Sequence, residues 1–574
     1  MHYFDGLLMD PLVIPVNDQW VFGPIDWDQE KLPPDCQTLP DLLDHFAKIS
    51  PDKAALVAGS SRLTYLELSD KSKVFAASLD GLGVTCDSRV GLLAPNIEEW
   101  LVTAFGAMRL GIALDTFNTW VLAWDLEHLL RISRTEVLIT VSNIRSTNFL
   151  EELKKLIPEL WNSEPGELSN SDFPHLKNVI IIGHLAELQE LPSGALSYHE
   201  LIATMGSEPC LTNKSRPQST AIVLYTSGTT IRPKAVPLTH RKLIENGFAI
   251  GTRMDLTDLD RVWLSSPLFW SYGFANAVMA TMTHGACLIL QEVFTPKTAA
   301  EILSTERCTA AYLLPSMAIA LIDEVGSKVR EIASLRTGLT IGRSDEIKRI
   351  AFELGIPEIC NIYGSTEVYG NCCVTSHKMP IEERILSQGP PLPGFELRVV
   401  DMATGNSLPP GNPGELQVRG RVMSGYLDDE SASAVAFTDG DWFRTGDTCL
   451  INADGTLRFL SRHTDMIKNS GINVSPSEVE GFIGQHPSVE SIVVVGAAHP
   501  TKGEVPVAFV VNRPGTTLSS EDLLAYCKGS IASFKIPWAV EFVSSIPHTS
   551  TGKIMRKDLR TRAEELVVQV LRDR

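Results

Sequence analysis

Over 574 residues, 50 Lys and Arg against 69 Asp and Glu leave a formal net charge of −19, beside a hydrophobic fraction of 44% and a charged fraction of 21%. That is an ordinary globular composition, in a chain long enough for roughly two to four cores. The acidic balance argues against a nucleic-acid partner and against a polybasic membrane patch, because both need a concentrated positive field. A local pocket can still hold a small anion.

The ten cysteines are scattered, with Cys372 and Cys373 adjacent and no C-x-x-C pair, which argues against zinc and against a disulfide framework. At the start of the chain, Asp5 and Asp10 stand where a secretory signal would carry basic charge and an apolar run, so no signal is read and a cytoplasmic location is expected. An apolar run, Val90 to Leu93, predicts a strand, and Asn96 with Glu99 three residues on predicts a capped helix closed by Gly111. The hydrophilic stretch Trp161 to Phe173 reads as a surface loop. Ala221 to Tyr225 predicts a strand before a helix beginning near Thr239. Residues 262–291 carry no Lys, Arg, Asp or Glu, yet Pro267, Gly273, Asn276 and Gly285 make a strand, a loop and a buried helix a better reading than a membrane span. Ala310 to Leu314 precedes another helix near Ser316. The fold class is therefore α/β with buried parallel strands.

After about Ser461 the elements shorten. Ser475, Pro476 and Glu478 predict a capping box, Ile492 to Val495 and Val507 to Val511 predict strands, and Glu521 to Lys528 predicts a helix. The expected organisation is a large α/β domain over 1–461 and a small mobile α+β domain over 462–574.

The sharpest local feature is Tyr225-Thr226-Ser227-Gly228-Thr229-Thr230-Ile231-Arg232-Pro233-Lys234, directly after an apolar strand. Its hydroxyls and backbone N–H groups can meet phosphate oxygens, with Lys234 as a point charge. Taken alone, the stretch reads better as a Ser/Thr-rich surface turn. Further segments follow in order: Ile362-Tyr363-Gly364-Ser365-Thr366-Glu367, Arg444-Thr445-Gly446-Asp447, Ser461-Arg462-His463-Thr464-Asp465-Met466-Ile467-Lys468, and Pro547-His548-Thr549-Ser550-Thr551-Gly552-Lys553-Ile554-Met555-Arg556. With Leu63-Thr64-Tyr65-Leu66-Glu67-Leu68, these motifs resemble those of the adenylate-forming superfamily, which includes acyl-CoA synthetases, peptide-synthetase adenylation domains and firefly-type luciferases. The resemblance runs from roughly Leu39 to Arg560.

The resemblance implies that a carboxylate attacks the α-phosphate of ATP, pyrophosphate leaves, and a thiol then attacks the acyl adenylate. Thr226, Ser227, Gly228, Thr229, Thr230 and Lys234 match the family's phosphate loop, and Glu367 its magnesium carboxylate. Tyr363 matches the aromatic on adenine, within the nucleotide motif continued by Gly364, Ser365 and Thr366. Asp447 matches the acceptor of the ribose hydroxyls, and Arg462 a second ribose contact. Lys553 matches the lysine that reaches the α-phosphate and carboxylate, where a mobile ammonium neutralises developing charge. Ser470 and Gly471 match the loop used in the thiol step, and a hinge is expected near Thr464. Outside the family context, Glu367 reads as a helix-cap acid, Thr-Gly-Asp as a turn and Tyr363 as core.

The chain departs from the family pattern at Ile231 and Ala235, where glycine is usual, at Trp270, where histidine is usual, and at Ser461 and Thr464. Glycine at such points normally allows left-handed backbone or close approach, so Ile231 implies an altered loop path or a side chain directed inward or outward at some cost. Trp270, Tyr272, Gly273, Phe274, Gly338, Gly342, Val368 and Tyr369 are candidates to line an acyl pocket, with core packing as the competing reading. Aromatic walls suggest an apolar carboxylic acid. The function implied is an AMP-forming carboxylate–CoA ligase using ATP, Mg2+ and CoA. The alternatives are loading of a separate carrier protein's phosphopantetheine, which the end of the chain at Arg574 without a carrier domain would require, a luciferase-type oxidation, or a non-catalytic nucleotide- or acyl-binding protein. Nothing in the sequence specifies an oligomeric state.

Overall fold

The computed structural model describes residues 13–16, 19–24, 32–121, 123–144, 147–183, 191–205, 213–226, 233–326, 332–462, 465–469, 472–474, 476–500, 502–528, 530–531, 535–548 and 554–573. The chain divides into two compact units. One comprises Met1–Phe22, Leu397–Gln417 and Arg444–Arg574, and the other Gly23–Glu396 with Val418–Phe443.

The larger unit is built on two mostly parallel sheets. The first has seven strands in the order Ala195–Ser197, Asn178–Ile182, Val137–Val141, Val90–Leu93, Leu114–Thr116, Thr220–Thr226 and Lys234–Thr239, parallel throughout except for the last pair, which is an antiparallel hairpin. The second has eight strands, with parallel strands from Glu358–Tyr363 through Thr337–Thr340, Ala310–Leu313, Arg261–Leu264 and Cys287–Leu290 to Ala54–Ala58, and antiparallel strands at both edges. Strands buried on both faces read as continuous apolar runs, as in Val90–Leu93, which is why they are legible without alternation. The helices Pro296–Thr305, Pro315–Val325 and Ser344–Phe352 pack Leu303, Leu321 and Ile347 onto Trp263, Ala311 and Ile359 of the second sheet.

The helix after Val90–Leu93 spans Glu98–Arg109, but its N-cap is Ile97, which makes no side-chain cap bond. Asn96 is not the cap. It is buried, its Nδ2 donating to the carbonyls of Ser266 (3.0 Å) and Gln291 (3.3 Å) and its Oδ1 accepting from the Leu268 N–H (2.9 Å), so tertiary bonds claim the amide that local pattern would assign to the helix. A reciprocal capping box does occur at the helix Tyr65–Gly81. Thr64 Oγ1 accepts from Glu67 N (3.1 Å) and the Glu67 carboxylate accepts from Thr64 N (2.8 Å), giving the segment Leu63–Leu68 a structural purpose. The uncharged stretch 262–291 holds a strand, a loop, a π-helical turn Tyr272–Val278, a short helix Met279–Thr283 and a strand. Among the described residues no helix is long and apolar enough to cross a membrane.

In the other unit, Asp447–Ile451 pairs antiparallel with Leu457–Arg462, setting Asp447 opposite Arg462. A five-stranded sheet follows, in which Val489–His499 and Gly503–Asn512 pair over almost their whole length. Side chains alternate between two cores. Ile492, Val494, Ala508 and Val510 face the helices Pro476–Ile483 and Ser520–Cys527, whereas Val493, Val495, Val507 and Phe509 face the helix Arg556–Asp573. The helix starting at Pro476 is as expected, while its cap residue Ser475 lies outside the described residues.

Candidate active site

The hairpin Thr220–Thr226/Lys234–Thr239 carries the first group of candidates. Its register sets Thr226 opposite Lys234 and Tyr225 opposite Ala235, and Thr226 Oγ1 lies 3.5 Å from the Lys234 carbonyl. Ser227, Gly228, Thr229, Thr230 and Ile231 lie outside the described residues. At Ala235 the left-handed backbone that a glycine would allow is not used. Ala235 is a strand residue without positive φ, its carbonyl accepting from Leu427 N–H (2.9 Å), and any L residue adopts that conformation.

Glu367 sits on the short 3-10 turn Thr366–Val368 that follows the strand Glu358–Tyr363. Its Oε1 accepts from the Tyr426 hydroxyl (3.0 Å), and its carbonyl accepts from the Met423 N–H (2.8 Å). The same Tyr426 ring lies under the Lys234 ammonium, 4.5 Å from Nζ to the ring centroid. Tyr426 thus touches a cation with its face and an acid with its hydroxyl, and burial, with the Glu367 charge second, pushes its phenol far above the ordinary tyrosine range. Ser433 Oγ accepts from Tyr426 N–H (2.8 Å), which anchors the loop to the helix Glu430–Ala436.

Around this turn, Tyr363 is buried at the strand end. Gly364 has no room for a side chain, because a Cβ would collide with the Gly370 carbonyl and Asn371. Ser365 Oγ is buried without a hydrogen-bond partner among the described residues, and Thr366 Oγ1 donates to Ser271 Oγ (3.2 Å).

The acyl candidates separate into different surroundings. Trp270 is half-buried and stacks at a tilt on Trp120 (5.3 Å), and Phe269 meets both indoles edge-on (5.4 and 6.1 Å), forming one aromatic wall. The Tyr272 hydroxyl donates to the carbonyls of Leu339 (2.8 Å) and Leu313 (3.2 Å). Gly273 abuts Pro267 and Gly338 abuts Ala311, whereas at Gly342 a Cβ would meet Glu346 Oε2 at 3.3 Å. Phe274 is fully buried against Trp100 (5.4 Å), and Val368 is buried too. Tyr369 is fully buried in left-handed backbone (φ 59°), its hydroxyl accepting from Thr239 N–H (3.1 Å) and its carbonyl from Asn246 Nδ2 (2.9 Å).

In the other unit, Asp447 is buried and Arg462 exposed, with Nε 3.4 Å from Asp447 Oδ1. Gly446 turns the strand with φ 70°, and Thr445 Oγ1 accepts from Asp447 N–H (3.1 Å). Glu415 holds Arg444 through two nitrogens (3.1 Å each), so Arg444 is engaged structurally. Lys553, Thr464, Ser470 and Gly471 lie outside the described residues. The ends of the segment around Lys553 are tied, since His548 bridges Ile554 and Met555 N–H donates to the Pro547 carbonyl (3.0 Å). Arg556 is fixed on Glu480 (2.9 Å) and the Val494 carbonyl (2.7 Å).

Sequence reading passes over Tyr426 and Trp120. Tyr426 follows Gly425 in a loop and Trp120 lies in a loop before a helix; neither shows periodicity, and only folding brings them to Glu367, Lys234 and Trp270.

The model of the AMP-binding enzyme family matches residues 43–427, and that of the AMP-binding enzyme C-terminal domain matches residues 478–553. A Bacillus subtilis (strain 168) protein named as an acyl-CoA synthetase, YngI, is 33% identical over 542 residues, 92% of this chain and 97% of that protein. The mitochondrial medium-chain acyl-CoA ligase ACSF2 of Mus musculus is 30% identical over 548 residues, 92% of this chain and 88% of that protein. Among solved structures, the anthranilate CoA ligase AuaEII in complex with anthranoyl-AMP superposes with a TM-score of 0.81 at 25% identity, covering 92% of this chain and 98% of that one.

Proposed function

This chain belongs to the AMP-binding enzyme family as an AMP-forming acid–CoA ligase, and from that premise we propose that it activates an apolar carboxylic acid, with Mg2+ on the triphosphate and free CoA as thiol donor. In the first step a carboxylate oxygen attacks the α-phosphorus of ATP, and the bond to the bridging oxygen of pyrophosphate breaks. In the second the CoA sulfur, having lost its proton, attacks the acyl carbonyl carbon, and AMP leaves with the oxygen that the acid supplied.

The observation that carries this reading is the Lys234–Tyr426–Glu367 arrangement at the mouth of the phosphate hairpin. A cation and an acid bracket one phenol instead of neutralising each other. Lys234 can then meet phosphate oxygens, and Glu367, a hard oxygen donor with one oxygen on Tyr426, fits Mg2+ through the other. When bound, that ion neutralises charge on the departing pyrophosphate. Thr226 supplies a hydroxyl donor beside Lys234, and Tyr363, with Gly364, Ser365 and Thr366, the adenine contact. Asp447 and Arg462 are the ribose pair. Lys553 is the adenylation lysine, Ser470 and Gly471 serve the thiol step, and Thr464 is the hinge between 1–461 and 462–574.

Support for an apolar acid comes from the wall of Trp120, Phe269 and Trp270, which offers ring faces and no carboxylate or ammonium. The medium-chain and anthranilate acids in the names of the relatives set the two ends of a panel. Acid-dependent exchange of labelled pyrophosphate into ATP, run across that panel without thiol and followed by thioester formation with CoA or a holo carrier protein, tests the reading. Trp270→Ala should shift the profile toward bulkier acids and leave the ATP requirement unchanged. A raised ATP requirement with an unaltered acid profile would remove Trp270 from the acid site, and thioester on the carrier alone would remove CoA.

A further inference from the structure

Beneath the phosphate hairpin lies a buried charge cluster that the reaction as described does not use. Asp115, at the centre of the strand Leu114–Thr116, is fully buried between the strands Val90–Leu93 and Thr220–Thr226. Arg89, just before the first of these strands, holds it in a two-point grip, Nε to Oδ2 and Nη2 to Oδ1, both at 3.0 Å. The third donor is the Tyr225 hydroxyl, 2.6 Å from Oδ1. Tyr225 immediately precedes Thr226 and stands opposite Ala235, the residue after Lys234. Its ring leans on Phe117 (5.6 Å), and Phe117 in turn fills the notch left by Gly91. Ring and hydroxyl are thus both fixed at the point where the hairpin begins to carry the phosphate-facing residues.

We propose that Asp115, acting through Tyr225, is a positioning residue that clamps the hairpin arms bearing Thr226 and Lys234, and that the clamp loosens when Asp115 takes up a proton, weakening ATP binding in acid. The inference rests on the phosphate-binding role proposed for that hairpin. A buried carboxylate with two guanidinium donors and one phenol donor is fully bonded only when ionised. Protonation gives up charge-assisted bonds and leaves the Arg89 charge without its partner. The charged and titratable groups facing Asp115 are Arg89, Tyr225 and Asp428. Burial raises its carboxyl to about 6, against the pull of Arg89 and of the Tyr225 hydroxyl, with Asp428 adding to the rise. Release therefore falls within reach of ordinary assay conditions.

The experiment compares the pH profile of kcat/KM for ATP in pyrophosphate exchange for the full chain, Tyr225→Phe and Asp115→Asn. The wild-type profile should fall below pH about 6. Tyr225→Phe removes a donor that favours the ionised carboxylate, so its acid limb should move to higher pH, with KM for ATP raised about tenfold above the limb and kcat changed little. Asp115→Asn cannot titrate, so that limb should vanish and leave a pH-independent high KM. Absence of exchange in the wild type would strike the functional reading. Exchange with an acid limb unmoved in Tyr225→Phe and retained in a folded Asp115→Asn would overturn the clamp alone. Should Asp115→Asn fail to fold, Tyr225→Phe decides by the position of its limb.

Discussion

Tyr426 keeps two opposite charges apart. Lys234 lies over its face and Glu367 accepts from its hydroxyl, and under the function proposed above the ammonium and the acid serve separate parts of a triphosphate. Tyr426→Phe keeps the ring under Lys234 and removes the bond to Glu367. A hydrogen bond to a charged group contributes about 1.5–3 kcal/mol, so the Mg2+ concentration for half-maximal ATP binding should rise on the order of tenfold. Tyr426→Leu should weaken metal-free ATP binding as well, since it also removes the cation–π contact. Calorimetric titration of ATP with and without Mg2+ reads both effects. If Tyr426→Phe binds Mg2+-ATP as tightly as the wild type, Tyr426 does not position the metal carboxylate.

Among the elements, the π-helical turn Tyr272–Val278 shows how packing fixes a segment whose composition says little. Gly273 is there because a Cβ would run into the Pro267 carbonyl, so the loop Pro267–Ser271 folds back over the turn that follows it. Gly273→Ala should destabilise the protein by about 1–3 kcal/mol through overpacking, measured by urea denaturation, and disturb the acid profile through Trp270. Unchanged stability would mean that the loop has slack to give way. The apolar runs Val90–Leu93 and Ala310–Leu313 are legible because strands buried on both faces need no pattern beyond hydrophobicity. Lys234–Thr239 is not, because Pro237 speaks against a strand. At the edge of its sheet, where one row of backbone groups has no partner strand, proline is tolerated. Asn96 misleads in the opposite direction: its local cap signal is sound, but two carbonyls and an N–H from distant segments hold it instead.

For the whole molecule, six short motifs in order suffice to identify the family, and the family model covers residues 43–427. The motifs carry the groups proposed to meet the ligand. The groups that hold them in place, Tyr426 beside Glu367, Trp120 beside Trp270 and Asp115 beneath Tyr225, are single residues in loops or short strands, recognisable only once remote segments are adjacent. The central claim is that the acid passes through an acyl adenylate, and its most direct measurement follows an oxygen atom. With a carboxylic acid labelled in both oxygens with oxygen-18, and with ATP, Mg2+ and CoA present, attack on the α-phosphorus and later expulsion of AMP must move one acid oxygen onto phosphorus. Mass spectrometry should find one labelled oxygen in each AMP formed and none in pyrophosphate. Unlabelled AMP, or label in inorganic phosphate alongside ADP, would contradict the account.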